Sequence, residues 1–148
     1  MRRIKAKGVS IISEGVTLPL PKAEIKSTAG KILSLVKERD SKIALVFVTD
    51  GRIRKLNRKY RRTDRATDCL AFPMREGIDK RLNPQLLGDV VISVDAARRN
   101  ARLFGTSVKT EIKLYIIHGI LHLLGFKDTA VAGRKKMEDM QEDILRRL

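Results

Sequence analysis

From Ile112 to Leu124 the sequence reads Ile-Lys-Leu-Tyr-Ile-Ile-His-Gly-Ile-Leu-His-Leu-Leu, apolar on nearly every side apart from Lys113 and its two histidines. A helix that is hydrophobic all round has no water-facing side and must lie inside a fold. Thr106 or Ser107 starts this helix and Gly125 ends it, so it is expected to be central, with the histidines near its C-terminal end. His118 and His122 are the only histidines in the chain. Four residues on a helix is ~400° of rotation, which puts both imidazoles on one face a turn apart.

That spacing lets two ring nitrogens reach one metal ion at ~2.0–2.1 Å. Gly125 can take a positive φ and turn the chain back. Asp128 then arrives three residues later with a carboxylate. His-x-x-x-His-x-x-Gly-x-x-Asp has the spacing of the extended zinc-protease motif, whose third ligand is usually histidine. Two histidines and a carboxylate, with one position left for water, form a catalytic rather than a structural ligand set. The alternative is a pair of ordinary helix histidines satisfied by local hydrogen bonds. Unpaired imidazoles in so apolar a helix would be costly, however, and the Gly and Asp at matching offsets favour metal. The protease motif places its general base directly after the first histidine; here that residue is Gly119, which argues against a peptidase.

Lys and Arg number 32 against 17 Asp and Glu, a net charge of +15. Such a field attracts polyanions and makes binding salt-sensitive. Heat adaptation also enriches charge, but in both signs. A partner of nucleic acid or ribonucleoprotein is the expectation. The charge is concentrated: residues 52–65 carry eight positive charges and one negative. With Ile53, Leu56 and Tyr60 turned inward on a helix capped by Asp50, the basic residues fall on its outer and flanking faces. Arg54, Lys55, Arg58, Lys59, Arg62 and Arg65 are then candidate RNA contacts, against the alternative of a merely solvated face.

The 148 residues fit one domain, 1–148, with 43% hydrophobic residues spread along the chain. Strands are expected at Ile4–Ile12, Ser41–Thr49, Cys69–Met74 and Leu87–Val94, the third at an edge because of Pro73. Helices are expected at Pro21–Glu38, from Asp50, at Asp95–Phe104, at the histidine segment, and at Val131–Leu148 with Met137, Met140, Ile144 and Leu148 inward. Glu76–Pro84 reads as a polar loop. The order is not strictly alternating, so the fold class is α+β: one mixed sheet of about four strands packed with about five helices, and the metal site at the end of the central helix. One cysteine, Cys69, allows no internal disulfide. No apolar run is long enough for a membrane span, and Met1–Lys5 leads into no export signal, so the expected location is cytoplasmic.

These residues resemble the YbeY family of bacterial rRNA-maturation endoribonucleases. His118-Gly119-x-Leu121-His122-Leu123-x-Gly125 is similar to the family's hallmark. Leu56-Asn57-x-x-Tyr60-Arg61-x-x-Asp64-x-x-Thr67-Asp68-x-Leu70-x-Phe72-Pro73 resembles a second block, and Leu87-Gly88-Asp89-Val90-Val91-Ile92-Ser93 a third. The resemblance runs from about Ile43 to the C-terminus. It implies a metal-dependent endoribonuclease cutting single-stranded RNA in 3′-end maturation of small-subunit rRNA and in ribosome quality control. It also implies one divalent metal per chain, expected to be zinc, and as partners rRNA, the small ribosomal subunit, ribosomal proteins and an assembly GTPase.

By that resemblance Arg61 matches the family's essential arginine, expected to hold the scissile phosphate; pairing with Asp64 or Asp68 is its structural alternative. Asp68 and Asp89 are candidates for orienting a ligand histidine through its second nitrogen, or else cap and turn residues. The chain departs from the family where Asp128 replaces a ligand histidine and Ala66 a proline. Two other functions stay open: a non-catalytic ribosome-assembly or RNA-binding factor with a structural metal, and a zinc peptidase-like hydrolase.

Overall fold

The computed structural model describes residues 8–75 and 85–148. The start of the first expected strand and the Glu76–Pro84 loop lie outside them. The elements run β1 (Val9–Ser13), α1 (Lys22–Leu35), β2 (Lys42–Val48), α2 (Asp50–Arg61), β3 (Cys69–Pro73), β4 (Leu86–Ser93), α3 (Val94–Phe104), α4 (Val108–Leu123) and α5 (Val131–Arg146). Their strands form one sheet in the order β1-β2-β4-β3. β1 and β4 both pair with β2 in parallel, whereas β3 pairs with β4 antiparallel at the edge. This is the expected mixed sheet, and Pro73, with no N–H to give a neighbour, sits on its edge strand.

Side chains alternate between the two faces. On one, Ile43, Leu45, Phe47, Val90 and Ile92 meet Ile25, Ile32, Ile112, Ile116 and Ile120 in the main core. On the other, Val48, Val91 and Leu70 meet Ile53 of α2 in a smaller cluster. The central helix of the main core is α4, which touches α1, α3, α5, β3 and β4. Its Ile112, Ile117, Ile120 and Leu121 have no exposed surface at all, as the apolar run of the sequence requires.

Two local expectations need correction at α2. Thr49, not Asp50, is the N-cap: its hydroxyl accepts from the Arg52 N–H at 3.2 Å. Asp50 is the first helical residue, and its carboxylate binds Ser93 at 2.7 Å and Arg99 at 2.8 Å. Ile53 is buried and Leu56 packs half-buried, as expected for the inward stripe, with Asn57 buried beside them, while Tyr60 is 53% exposed. The reason is position: by its last turn α2 has reached the edge strand, where Tyr60 meets the Phe72 ring edge-on with centroids 5.5 Å apart. Asn57 is buried because its amide donates to the Arg65 carbonyl at 2.9 Å and fastens the turn after the helix.

Gly119 sets how closely α4 approaches the sheet. A Cβ built there would lie 2.4 Å and 2.8 Å from the two methyl carbons of Val90. Gly119→Ala should therefore destabilise the fold. Overpacking costs about 1–3 kcal/mol and outweighs the ~1 kcal/mol by which Ala is the better helix former. Urea denaturation should show a net loss of about 1–2 kcal/mol, and in Gly119→Ala/Val90→Ala the loss should be smaller than the sum of the two single losses. A single variant more stable than the native chain would contradict this packing.

Candidate metal centre

The site is built by the way α4 ends. Gly125, at φ +97°, lets the Phe126 N–H reach back to the Leu121 carbonyl at 3.1 Å and its own N–H to the His122 carbonyl at 3.0 Å. This is a Schellman turn, which satisfies carbonyls that the last helical turn leaves open. The same turn aims the next carbonyl, Phe126 O, at His122, whose Nδ1–H donates to it at 2.9 Å. Two residues later Asp128 returns to the histidine face. His118 is held from another element: its Nδ1–H donates to Oε1 of Gln141 on α5.

With both Nδ1 atoms occupied as donors, each Nε2 presents a lone pair. The two Nε2 atoms face one another at 2.9 Å, and Oδ2 of Asp128 lies 3.7 Å from that of His118 and 3.6 Å from that of His122. Two lone pairs at such a distance repel unless a cation takes both. The three spacings bracket the edge of a tetrahedron, ~3.3–3.4 Å, whose centre is ~2.0–2.1 Å from each corner. His118, His122 and Asp128 could thus hold a metal ion, as the spacing in the sequence suggests. Burial pushes the His122 imidazole below the usual histidine range; His118 adds to this, and Asp128 and the Phe126 carbonyl oppose it. The neutral, ligating form is favoured.

The trio opens into a cleft of about 560 Å³ along β3, lined also by Arg61, Asp68, Cys69, Ala71 and Lys127. Arg61 comes to it from α2. Its guanidinium lies 5.2 Å above the Phe72 ring and Nη2 donates to the Ala71 carbonyl. Asp64 instead takes Arg54 at 2.9 Å and Arg58 at 3.9 Å, so two of the candidate RNA contacts carry a local counter-charge. Lys55, Arg62 and Arg65 are exposed, and the Lys59 ammonium sits 5.1 Å from the Tyr60 ring.

The expectation that Asp68 or Asp89 orients a ligand histidine is corrected by geometry. Asp68 accepts from the Cys69 N–H at 2.7 Å. Asp89 follows Gly88 and precedes Val90, the residue under Gly119, so it points to the opposite face of the sheet. Burial there raises its carboxyl above the usual range. The second nitrogens are held by Gln141 and the Phe126 carbonyl. Sequence reasoning missed Gln141, although a polar residue on the Met137–Ile144 stripe of α5 was the available signal. Gln141→Leu removes the acceptor that fixes the His118 ring and its tautomer. Metal affinity should fall about 10–100-fold with little change in helix content. Competition with a chromophoric chelator measures this, and native affinity in the variant would dismiss the role of Gln141.

The sequence matches the family described as Endoribonuclease YbeY over residues 11–148. A protein of that description from Anaeromyxobacter dehalogenans (strain 2CP-C) is 40% identical over 82% of this chain, which spans 62% of that relative's length. One from Geobacter metallireducens is 36% identical over 85% of each chain. The solution structure of TM1509 from Thermotoga maritima superposes with a TM-score of 0.58 and 26% identity, covering 92% of this chain and 88% of that one. With the match running through both histidines, the cleft and nearly every described element, the chain belongs to the YbeY endoribonuclease family.

Proposed function

We propose that this protein is a metal-dependent endoribonuclease that cuts single-stranded RNA, acting in the cytoplasm in 3′-end maturation of small-subunit rRNA and in ribosome quality control. The observation that carries the reading is the meeting of the His118, His122 and Asp128 donors with Arg61 in one open cleft. Relatives described as endoribonucleases support the reaction class. The donor set of two imidazoles and one carboxylate fits zinc. A divalent ion held there would act as a Lewis acid toward a phosphoryl oxygen and make an attacking water more acidic.

The chain's own residues do the rest. Arg61 has one N–H on the Ala71 carbonyl and keeps further donors for a phosphate. As charge builds on the phosphoryl oxygens, a fixed guanidinium stabilises it without reorganising. Lys127 adds a second cation to the cleft, and Lys55, Arg62 and Arg65 give the exposed charge that draws the RNA backbone in. Asp128 has a side chain 42% exposed, which leaves the cluster open to water and substrate rather than enclosed by protein. A closed four-donor site would favour a structural metal; among the described residues the group has three.

Metal analysis and an RNA cleavage assay on the same preparations test this. His118→Ala and Asp128→Ala should lose metal by more than the ~10–100-fold that follows loss of a group bonded to a ligand, and cleavage should go with it. Full activity in metal-free protein would sink the reading. Arg61→Ala should keep its metal and lose ~10²–10³ in rate, with Arg61→Lys recovering only part. An active Arg61→Ala protein would remove the arginine from the chemistry. End-group analysis then separates the two routes: hydrolysis by water leaves a terminal phosphate directly, while attack by the RNA's own 2′-hydroxyl passes through a cyclic phosphate.

A further inference from the structure

The edge strand that borders the cleft is almost, but not entirely, closed. In an antiparallel ladder, alternate residues exchange hydrogen bonds with the partner while those between them turn their N–H and C=O outward. Ser93 N–H donates to the Asp68 carbonyl and Met74 N–H to the Leu87 carbonyl. With the observed register this makes Asp68, Leu70, Phe72 and Met74 the bonded positions, so Cys69, Ala71 and Pro73 face outward. Two of their outward groups are bonded and one donor is missing. The Asp68 carboxylate accepts from the Cys69 N–H, Arg61 donates to the Ala71 carbonyl, and Pro73 has no N–H. Besides the Pro73 carbonyl at the end of the strand, what stays open is one adjacent pair, the Cys69 carbonyl and the Ala71 N–H, in the wall of the cleft that holds the candidate metal ligands.

One acceptor beside one donor is the pattern that a nucleobase edge complements, since each base offers donors and acceptors in its plane. A peptide strand would need the outward groups on both sides as well, and those are occupied. The charge agrees: Arg61 and Lys127 flank the same wall and suit a phosphate-linked ligand. Resting on the RNA-cleaving reading above, we propose that the Cys69 carbonyl and Ala71 N–H form a base-binding subsite of the cleft. It holds the base of a nucleotide next to the scissile phosphate, positioning the backbone against Arg61 and the metal ligands.

The test removes one donor and asks whether a base notices. In zinc-loaded protein, replacing Ala71 by lactic acid puts an ester oxygen in place of the N–H without altering φ or the side chain. Ala71→Pro removes the same donor by ordinary mutagenesis, at an edge position the ladder does not use. The probe is a single-stranded 2′-O-methyl hexanucleotide, and a series carrying one abasic nucleotide at each position in turn. The ester should weaken binding of the intact probe about 2- to 10-fold, the effect of one lost hydrogen bond. One abasic position should weaken native binding and be indifferent to the ester, as coupled partners are in a double-mutant cycle. The Ala71 amide resonance of the native protein should shift with the intact probe and not with that abasic one. Binding without coupling at any position overturns this subsite and leaves the RNA reading standing. An Ala71 amide that moves with an extended peptide and not with the probe also overturns it. Failure of the native protein to bind the hexanucleotide at all overturns both.

Discussion

The contact on which the rest depends is the one between Gly119 and Val90. α4 is buried on almost every side and must find apolar partners all round. A side chain at 119 would hold it off the sheet by the width of a methyl group or more; glycine lets the helix backbone settle on the Val90 methyls. That depth decides where the opposite turn of the helix lies. His118 and His122 emerge beside the edge strand, partly exposed, at the level of the Ala71 carbonyl and Arg61. A glycine that looks from the sequence like a missing catalytic base is, in the fold, the residue that seats the metal-binding helix.

The second dependence is between ending the helix and completing the site. Any helix leaves its last carbonyls unsatisfied, and a buried one must solve this without water. Here Gly125 closes two of them through main-chain bonds, and the returning chain supplies a carbonyl for His122 and then a carboxylate from Asp128. For His122, ring orientation, tautomer and the neighbouring carboxylate therefore come from the seven residues His122–Asp128, with no long loop to order. Among the described residues, Gln141 arrives from elsewhere, and α5 is pinned by Met137 and Ile144 on either side of it. The centre is stiff because each of its parts already serves the packing.

This explains what could be read in advance. Periodicity located the helices of the described chain, and Pro73 and the β-branched runs its strands, because those signals arise from burial, which acts on whole segments. That His118, His122 and Asp128 come together was legible because one helix turn and one glycine turn fix their spacing locally. Partners brought together by the fold were not. Gln141 and His118 are 23 residues apart, and nothing in either segment names the other. Of the two readings open for Asp89, the one beside a histidine fails because strand parity, after a shift of register between Lys42 and Ile43 at the start of β4, decides its face. Tyr60 was misassigned because an amphipathic stripe does not reveal where the sheet beneath it stops. Family resemblance was read from Ile43 onward, and the match in fact begins at residue 11, since β1 and α1 carry core residues but none of the chemistry.

A ligand trio of this kind serves peptide and phosphate chemistry alike, so the difference must lie around it. A peptide can dock as an extra strand on an exposed sheet edge, and in the zinc-protease motif a carboxylate beside the first histidine takes the proton. Here the edge is blocked at three points by Asp68, Arg61 and Pro73, and the residue after the first histidine is packed against Val90. What the cleft offers instead is a guanidinium and an ammonium beside the metal ligands, in a chain of net charge +15. Asp64 neutralises part of the basic helix, at Arg54 and Arg58, so the uncompensated charge lies nearer its C-terminal end, where Arg61 turns into the cleft. The same residue thus occupies an edge carbonyl that a peptide strand would need and places a guanidinium at the cleft. On the proposed reading, Arg61 would favour polyanion over polypeptide by what it covers as much as by the charge it carries.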